Sequence, residues 1–202
     1  MKRGKFITLE GMDGAGKSTH INTIIDALKA KGHEVISTRE PGGTALGEQL
    51  RALLLHEVMH PETESLLMFA ARREHIATVI LPALHRGAYV LCDRFTDASY
   101  AYQCGAKGVD VDKMATLEYW VQQELQPDTT LLFDVPVAVS VARLASARAP
   151  DKFEREDAAF FTKIRESYLM RAKQHPKRFI VIDANQTIEI VKQNVEEIIS
   201  TL

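Results

Sequence analysis

Short apolar runs that alternate with segments of helical hydrophobic period predict an α/β fold, with a five-stranded parallel sheet flanked by helices. Three observations carry this reading. The runs Phe6–Leu9, Val35–Thr38, Tyr89–Cys92, Thr130–Phe133 and Phe179–Ile182 read as strands. Each ends beside a polar residue, respectively Glu10, Arg39, Asp93, Asp134 and Asp183. The segments between them carry apolar residues at three- and four-residue spacing, which suits helices packed on both sheet faces.

The elements follow in chain order. Ile21, Ile24, Ile25 and Leu28 form one helical face after the first strand, and Gly32 is a plausible stop. Leu46, Leu50, Leu53 and Leu54 form the next. Residues Glu62 to His85 read as one long helix that Pro82 should kink or interrupt. Met114, Leu117, Trp120, Val121 and Leu125 mark a helix that stops near Pro127. Phe160, Phe161, Ile164, Tyr168 and Leu169 mark another, and Ile188, Val191, Val195, Ile198 and Leu202 the last. In a parallel sheet of this kind ligands bind at the carboxyl ends of the strands, where the polar residues gather.

Composition narrows the function classes. Of 202 residues, 46% are hydrophobic and 26% charged, which excludes disordered, collagen-like and coiled-coil chains. A net charge of −2 gives no basic excess for nucleic acid or membrane surfaces, so any anion site must be local. Two cysteines, Cys92 and Cys104, exclude a disulfide scaffold and fit reduced thiols in a cytoplasmic protein. No apolar stretch is long enough to span a bilayer. Lys2, Arg3 and Lys5 imitate the start of a signal peptide, but the apolar run after them is too short and Glu10 interrupts it.

The most specific motif is Gly11-Met12-Asp13-Gly14-Ala15-Gly16-Lys17-Ser18, followed by Thr19. It matches G-x-x-x-x-G-K-[ST] and lies between a predicted strand and a predicted helix. Glycines let backbone N–H groups approach phosphate oxygens, and the helix directs its positive end at the same anion. Lys17 is expected at the β- and γ-phosphates and Ser18 on Mg²⁺, with Thr19 near the α-phosphate. The motif fixes an ATP or GTP site and leaves open a kinase, a switch or a motor.

A second set of residues points to a phosphorylated acceptor. Arg39-Glu40-Pro41-Gly42-Gly43-Thr44 leaves the second strand with an arginine able to hold a phosphate bidentately. Asp93-Arg94-Phe95 leaves the third, where Asp93 could hold a magnesium-bound water and Arg94 an acceptor phosphate. Phe69 lies three residues before Arg72 and four before Arg73, so it shares a helix face with either. Ser99, Tyr100, Tyr102 and Gln103 follow the third strand, and the Gln103 amide can pair with a pyrimidine edge. Residues Arg143 to Asp157 are dense in both charges, including Arg148, Asp151, Lys152 and Arg155. In a phosphoryl-transfer enzyme they form a candidate lid.

The segments Glu10 to Thr19, Thr38 to Thr44, Asp93-Arg94-Phe95 and Ala101-Tyr102-Gln103 resemble the thymidylate kinase family in order and spacing. The resemblance runs from residue 6 to the final helix. It implies a three-layer P-loop sandwich, one kinase domain over residues 1–202 with a short lid at about 143–157, and a homodimer. It implies ATP and dTMP as substrates, with Mg²⁺ and no nucleic-acid or membrane partner. By the same resemblance Asp13 lies near the acceptor's sugar and phosphate. Arg39 and Arg94 lie near its phosphate, and Arg72 belongs to the same pocket with Arg73 as the alternative. Glu40 and Pro41 form the acceptor turn, Phe69 stacks on thymine, and Ser99, Tyr100 and Gln103 lie near the base. Two departures stand out. The family's usual stacking position is Met68 here, with Phe69 one residue later. The common Asp-Arg pair of the lid reads Asp151-Lys152, so the catalytic cation falls to Arg148, Lys152 or Arg155. Two other readings compete: a kinase of another nucleoside monophosphate, and a regulatory nucleotide switch with no small-molecule acceptor.

Overall fold

The computed structural model describes residues 3–145, 152–153 and 157–202. Five strands form one parallel sheet: β1 (Phe6–Glu10), β2 (Val35–Arg39), β3 (Tyr89–Asp93), β4 (Thr129–Asp134) and β5 (Phe179–Asp183). All five expected strands are present, most of them one residue longer at the polar end. Their order is β2-β3-β1-β4-β5, with β1 paired to β3 and β4 on its two sides. Alternation along the strands divides the core. Ile7, Leu9 and Leu91 face one layer, whereas Phe6, Val90 and Cys92 face the other.

Helix α1 (Lys17–Ala30) follows the glycine-rich loop and buries Ile24 and Leu28. It packs with α9 (Ile188–Thr201), which buries Val191, Val195 and Ile199 beside it. Helix α8 (Ala158–Gln174) brings Phe160, Phe161, Ile164 and Tyr168 to the same layer. Helix α2 (Ala45–His56) starts at Thr44, whose hydroxyl accepts from Gly47 N at 2.8 Å. Helix α3 (Pro61–His75) and α6 (Val111–Gln122) pack together on the second layer.

One sequence expectation is met and two change. The long helix over 62–85 is interrupted, as Pro82 leads one to expect, just before that residue. A π-helical turn, Ile76–Ile80, separates α3 from α4 (Leu81–His85), and Leu81 N bonds Ile76 O. The proline ring crowds the carbonyl four residues back, and a wider turn relieves that. Several residues assigned to apolar faces are exposed: Leu46, Leu53, Ile188, and Trp120 at 74%. Two helical pieces that the periodicity left unread frame the site. They are α5 (Thr96–Ser99), which runs on as a π-helical turn over Tyr100–Ala106, and α7 (Val137–Ala145). The first is four residues long and buries Thr96, Asp97 and Ser99, too short and too polar to show a helical period; the second lies outside the helices expected from the sequence.

Candidate active site

The topology gathers the carboxyl ends of β1, β2 and β3 on one edge, and a cavity of about 480 Å³ opens there. One end is the glycine-rich loop. Gly11 has φ 133° and a Cβ there would lie 2.5 Å from Phe133 O; Gly14 has φ 75° and its Cβ would lie 2.6 Å from Ser140 O. Only glycine allows this curl against β4 and α7. Ser140 Oγ, on α7, donates to Asp13 O at 2.6 Å and ties the loop down. Gly14, Gly16, Lys17, Ser18 and Thr19 line the cavity. Lys17 Nζ donates to Gly11 O at 3.0 Å and Met12 O at 2.9 Å, so it lies across the loop. Burial and the Arg94 guanidinium lower its pKa, against the pull of Asp93, Asp13 and Glu10.

The cavity is cationic: Arg39, Arg51, Arg94 and Arg143 line it, Arg143 beside the loop with Nη1 donating to Gly14 O at 3.4 Å. Arg94 is held most firmly. Its backbone sits at φ 71°, an uncommon conformation for a residue with a side chain. Nη2 donates to Asp13 Oδ1 at 2.7 Å and to Tyr102 OH at 3.0 Å, and Nη1 donates to Tyr168 OH at 3.0 Å. Tyr102 OH donates to Asp13 Oδ2 at 2.7 Å. Burial pushes the Asp13 pKa upward, but Arg94 and Lys17 outweigh it and hold it at about 2. Below this cluster lies Glu10, fully buried, which accepts from Phe95 N at 2.7 Å and Tyr168 OH at 2.8 Å. Burial and the Asp97 carboxylate raise its pKa to about 8, although Arg94 and its two hydrogen bonds oppose them. Arg39 is more exposed and donates to Glu48 Oε2 at 3.0 Å, whereas Arg51 Nη1 donates to Pro41 O at 2.8 Å.

The far end has the character of a base pocket. Met68, Arg72, Phe95, Ser99, Tyr102, Gln103 and Phe153 form its walls. Arg72 is buried and donates through Nε to Glu40 Oε2 at 2.7 Å and through Nη2 to Ser99 Oγ at 3.1 Å. Glu40 Oε1 is 2.9 Å from His75 Nδ1, which anchors the turn after β2 to α3. Arg72 Nη1 is buried with no hydrogen-bond partner among the described residues, and the guanidinium lies over the rings of Phe69 and Phe95.

Similarity to known proteins runs the length of the chain. A family model described as thymidylate kinase matches residues 9–195. The chain belongs to the thymidylate kinase family. A thymidylate kinase from Methylobacillus flagellatus is 66% identical over 196 residues, which is 97% of this chain and 97% of that protein. One from Cupriavidus metallidurans is 62% identical over 200 residues, 99% of this chain and 100% of the relative. The crystal structure of thymidylate kinase from Ehrlichia chaffeensis matches with a TM-score of 0.76 at 32% identity, covering 97% of this chain and 98% of that one. That likeness includes the P-loop α/β architecture expected above.

Most residues expected for a thymidylate kinase meet at this cavity: Asp13, Gly14, Gly16 to Thr19, Arg39, Glu40, Pro41, Arg72, Asp93, Arg94, Ser99 and Gln103. Gly11, Met12 and Ala15 are buried in the loop beneath. Four expected residues lie away from the cavity lining. Phe69 is buried away from the cavity, with the Arg72 guanidinium 4.4 Å over its ring, and Met68 faces the cavity in its place. One residue along a helix is a 100° turn, enough to move a side chain from wall to core. Arg73 donates to Val121 O at 2.9 Å on the α6 side and does not reach the site. Tyr100 OH donates to Glu118 Oε2 at 2.7 Å; Tyr102 is the tyrosine in the cavity. Lys152 Nζ lies 2.8 Å from Glu64 Oε2 and donates to Glu57 O at 2.9 Å, so it is directed away from the loop. Arg148 and Arg155 lie outside the described residues. Arg143, expected at the start of the lid, lines the cavity; sequence reasoning missed Arg51 and Phe153, which also line it, and Glu64 behind it, since no motif marks them.

The metal expectation was Ser18 and Asp93. Ser18 is exposed at the cavity, and Asp93 Oδ1 is buried with no hydrogen-bond partner among the described residues. A hydroxyl and an unpaired carboxylate oxygen fit a hard divalent cation that keeps waters and binds phosphate.

Proposed function

We propose how this cavity carries out the family's reaction, the phosphorylation of dTMP to dTDP with ATP as donor. The ATP phosphates rest on the loop from Gly11 to Thr19, with Lys17 at the transferring group. The dTMP phosphate sits among Arg39, Arg51 and Arg94, with Asp13 orienting Arg94. The thymine lies between Met68, Arg72, Ser99 and Gln103. The single observation that carries this reading is that one cavity is lined together by the glycine-rich loop, by Arg39, Arg51 and Arg94, and by the Arg72, Ser99 and Gln103 side that a pyrimidine edge could meet.

The dTMP phosphate is largely dianionic near neutral pH, since its second pKa is about 6, so no strong general base is required. Catalysis then rests on alignment and charge neutralisation. Lys17 and Arg94 are already fixed by hydrogen bonds, so little reorganisation is left for the moment of transfer. Ser18 and Asp93 would hold Mg²⁺, which supplies further neutralisation of the phosphates when bound. Phe95, Met68 and Phe153 exclude water at the base end.

The same reading includes a cytoplasmic homodimer with no nucleic-acid partner. The net charge of −2 and the free thiols Cys92 and Cys104 support the first and last points. The exposed Leu66 on α3 and Tyr119 and Trp120 on α6 support a partner face. Among the described residues no helix is long and apolar enough to cross a membrane. The deciding experiment is acceptor-dependent ADP release measured in parallel with dTMP, dUMP, UMP and dGMP. The proposal expects dTMP to be preferred; preference for a purine, or no acceptor dependence, would defeat it.

A further inference from the structure

Behind the base end lies a carboxylate that does not line the cavity. Glu64, on α3, is fully buried. Its Oε1 accepts from Gln103 Nε2 at 2.9 Å and from Lys107 Nζ at 2.9 Å. Its Oε2 accepts from Lys107 Nζ at 2.8 Å, and Lys152 Nζ lies 2.8 Å from it. Burial alone would raise the Glu64 pKa, but the bonds from Lys107, Lys152 and Gln103 more than offset it and hold it below the usual range.

An ionised carboxylate has acceptors only, so Gln103 must turn its NH₂ toward Glu64. The amide is planar, with nitrogen and oxygen on opposite branches. Its carbonyl oxygen is therefore left for the cavity that Gln103 lines. We propose that Glu64 is a positioning residue that fixes the polarity of the base pocket. By holding the Gln103 amide in one orientation, it makes the pocket read a ring N–H and reject a ring nitrogen lone pair. The inference rests on the acceptor reading above and adds its selectivity.

A glutamine free to rotate would serve either edge, by turning oxygen or nitrogen to the base. Thymine presents N3–H; a cytosine ring presents a lone pair at N3, which would meet the Gln103 oxygen. Arg72, whose Nη2 donates to Ser99 Oγ at 3.1 Å, lines the same cavity and adds positive charge, which favours a carbonyl on the base. A purely structural Glu64 would neutralise Lys107 and Lys152 without influencing which base edge is accepted.

The test compares kcat/KM for dTMP and 5-methyl-dCMP, which share sugar, phosphate and methyl group and differ at positions 3 and 4. Glu64→Gln presents either amide branch to Gln103 and frees it to turn. The expected result is a fall of about tenfold in the preference for dTMP, with KM for dTMP rising more than kcat falls. Combining it with Gln103→Leu tests the route: in that background Glu64→Gln should leave the preference within about twofold. An equal loss for both acceptors, with the preference unchanged, would overturn the inference. Glu64→Gln/Lys107→Met removes the stranded cation and gives the same readout if the single variant is unstable. Wild-type protein without dTMP-dependent turnover would defeat the acceptor reading, and this inference with it, in a separate and recognisable way.

Discussion

The two ends of the cavity are held by different means. The phosphate loop is backbone: glycines pressed against Phe133 O and Ser140 O, with one lysine returning to two loop carbonyls. The base end is side chain: Glu40 with Arg72 and His75, Glu64 with Gln103, Lys107 and Lys152. Backbone cradles bind any triphosphate in the same way. Side-chain networks read a particular base and can be rewired by single substitutions. Between them stands Arg94, tied to Asp13 in the loop, to Tyr102 in the cavity wall and to Tyr168 on α8 beneath.

The contrast yields graded outcomes. The largest effect is expected at the loop. Lys17→Ala should lower kcat by roughly 10²–10³-fold while leaving the circular dichroism spectrum and the dTMP affinity close to wild type. An unchanged kcat would remove the loop from the chemistry. Next comes the joint. Arg94→Ala should lower kcat/KM for dTMP by about 10²-fold, and it should also lower Tm, because Asp13 loses its closest cation. A loss of activity with no change in Tm would mean that the network around Arg94 is not structural.

Smaller effects separate wall from core in α3. Phe69→Ala should cost about 3 kcal/mol of stability, measured by urea unfolding. Met68→Ala should raise KM for dTMP severalfold at little cost in stability. The reverse pattern would restore Phe69 as the stacking residue. A pH dependence is expected at Glu10, beneath the joint between the two ends. Its folded pKa of about 8 lies above the carboxylate value of 4.5. The acid's contribution is thus fully present below about pH 4.5 and is lost as pH rises through 8. Glu10→Gln, a neutral mimic of the acid, should flatten the fall in unfolding free energy between pH 5 and 8. A slope unchanged by the substitution would assign that fall to other groups.

The same division governs what could be read in the sequence. The five strands and the loop were legible because each is a contiguous stretch whose pattern states its own structure. Asp13, Arg39, Arg94 and Gln103 were legible because they sit inside such stretches. Arg51, Glu64 and Phe153 were not, since nothing local distinguishes them from surface charge or core. Met68 and Phe69 show the limit most clearly. They are neighbours on one helix, and only the roll of α3 against α2 and α6 decides which one meets the cavity. Arg72 and Arg73 differ for the same reason: one turns to Glu40 and the other to Val121 O.

A crystal structure of the protein with dTMP and a non-hydrolysable ATP analogue tests the central claim most directly. The account predicts the triphosphate on residues 11–19 and the dTMP phosphate within hydrogen-bonding distance of Arg94. It also predicts thymine against Met68, with its ring N–H on the Gln103 oxygen. A dTMP molecule whose phosphate lies out of reach of both Arg39 and Arg94 would contradict it.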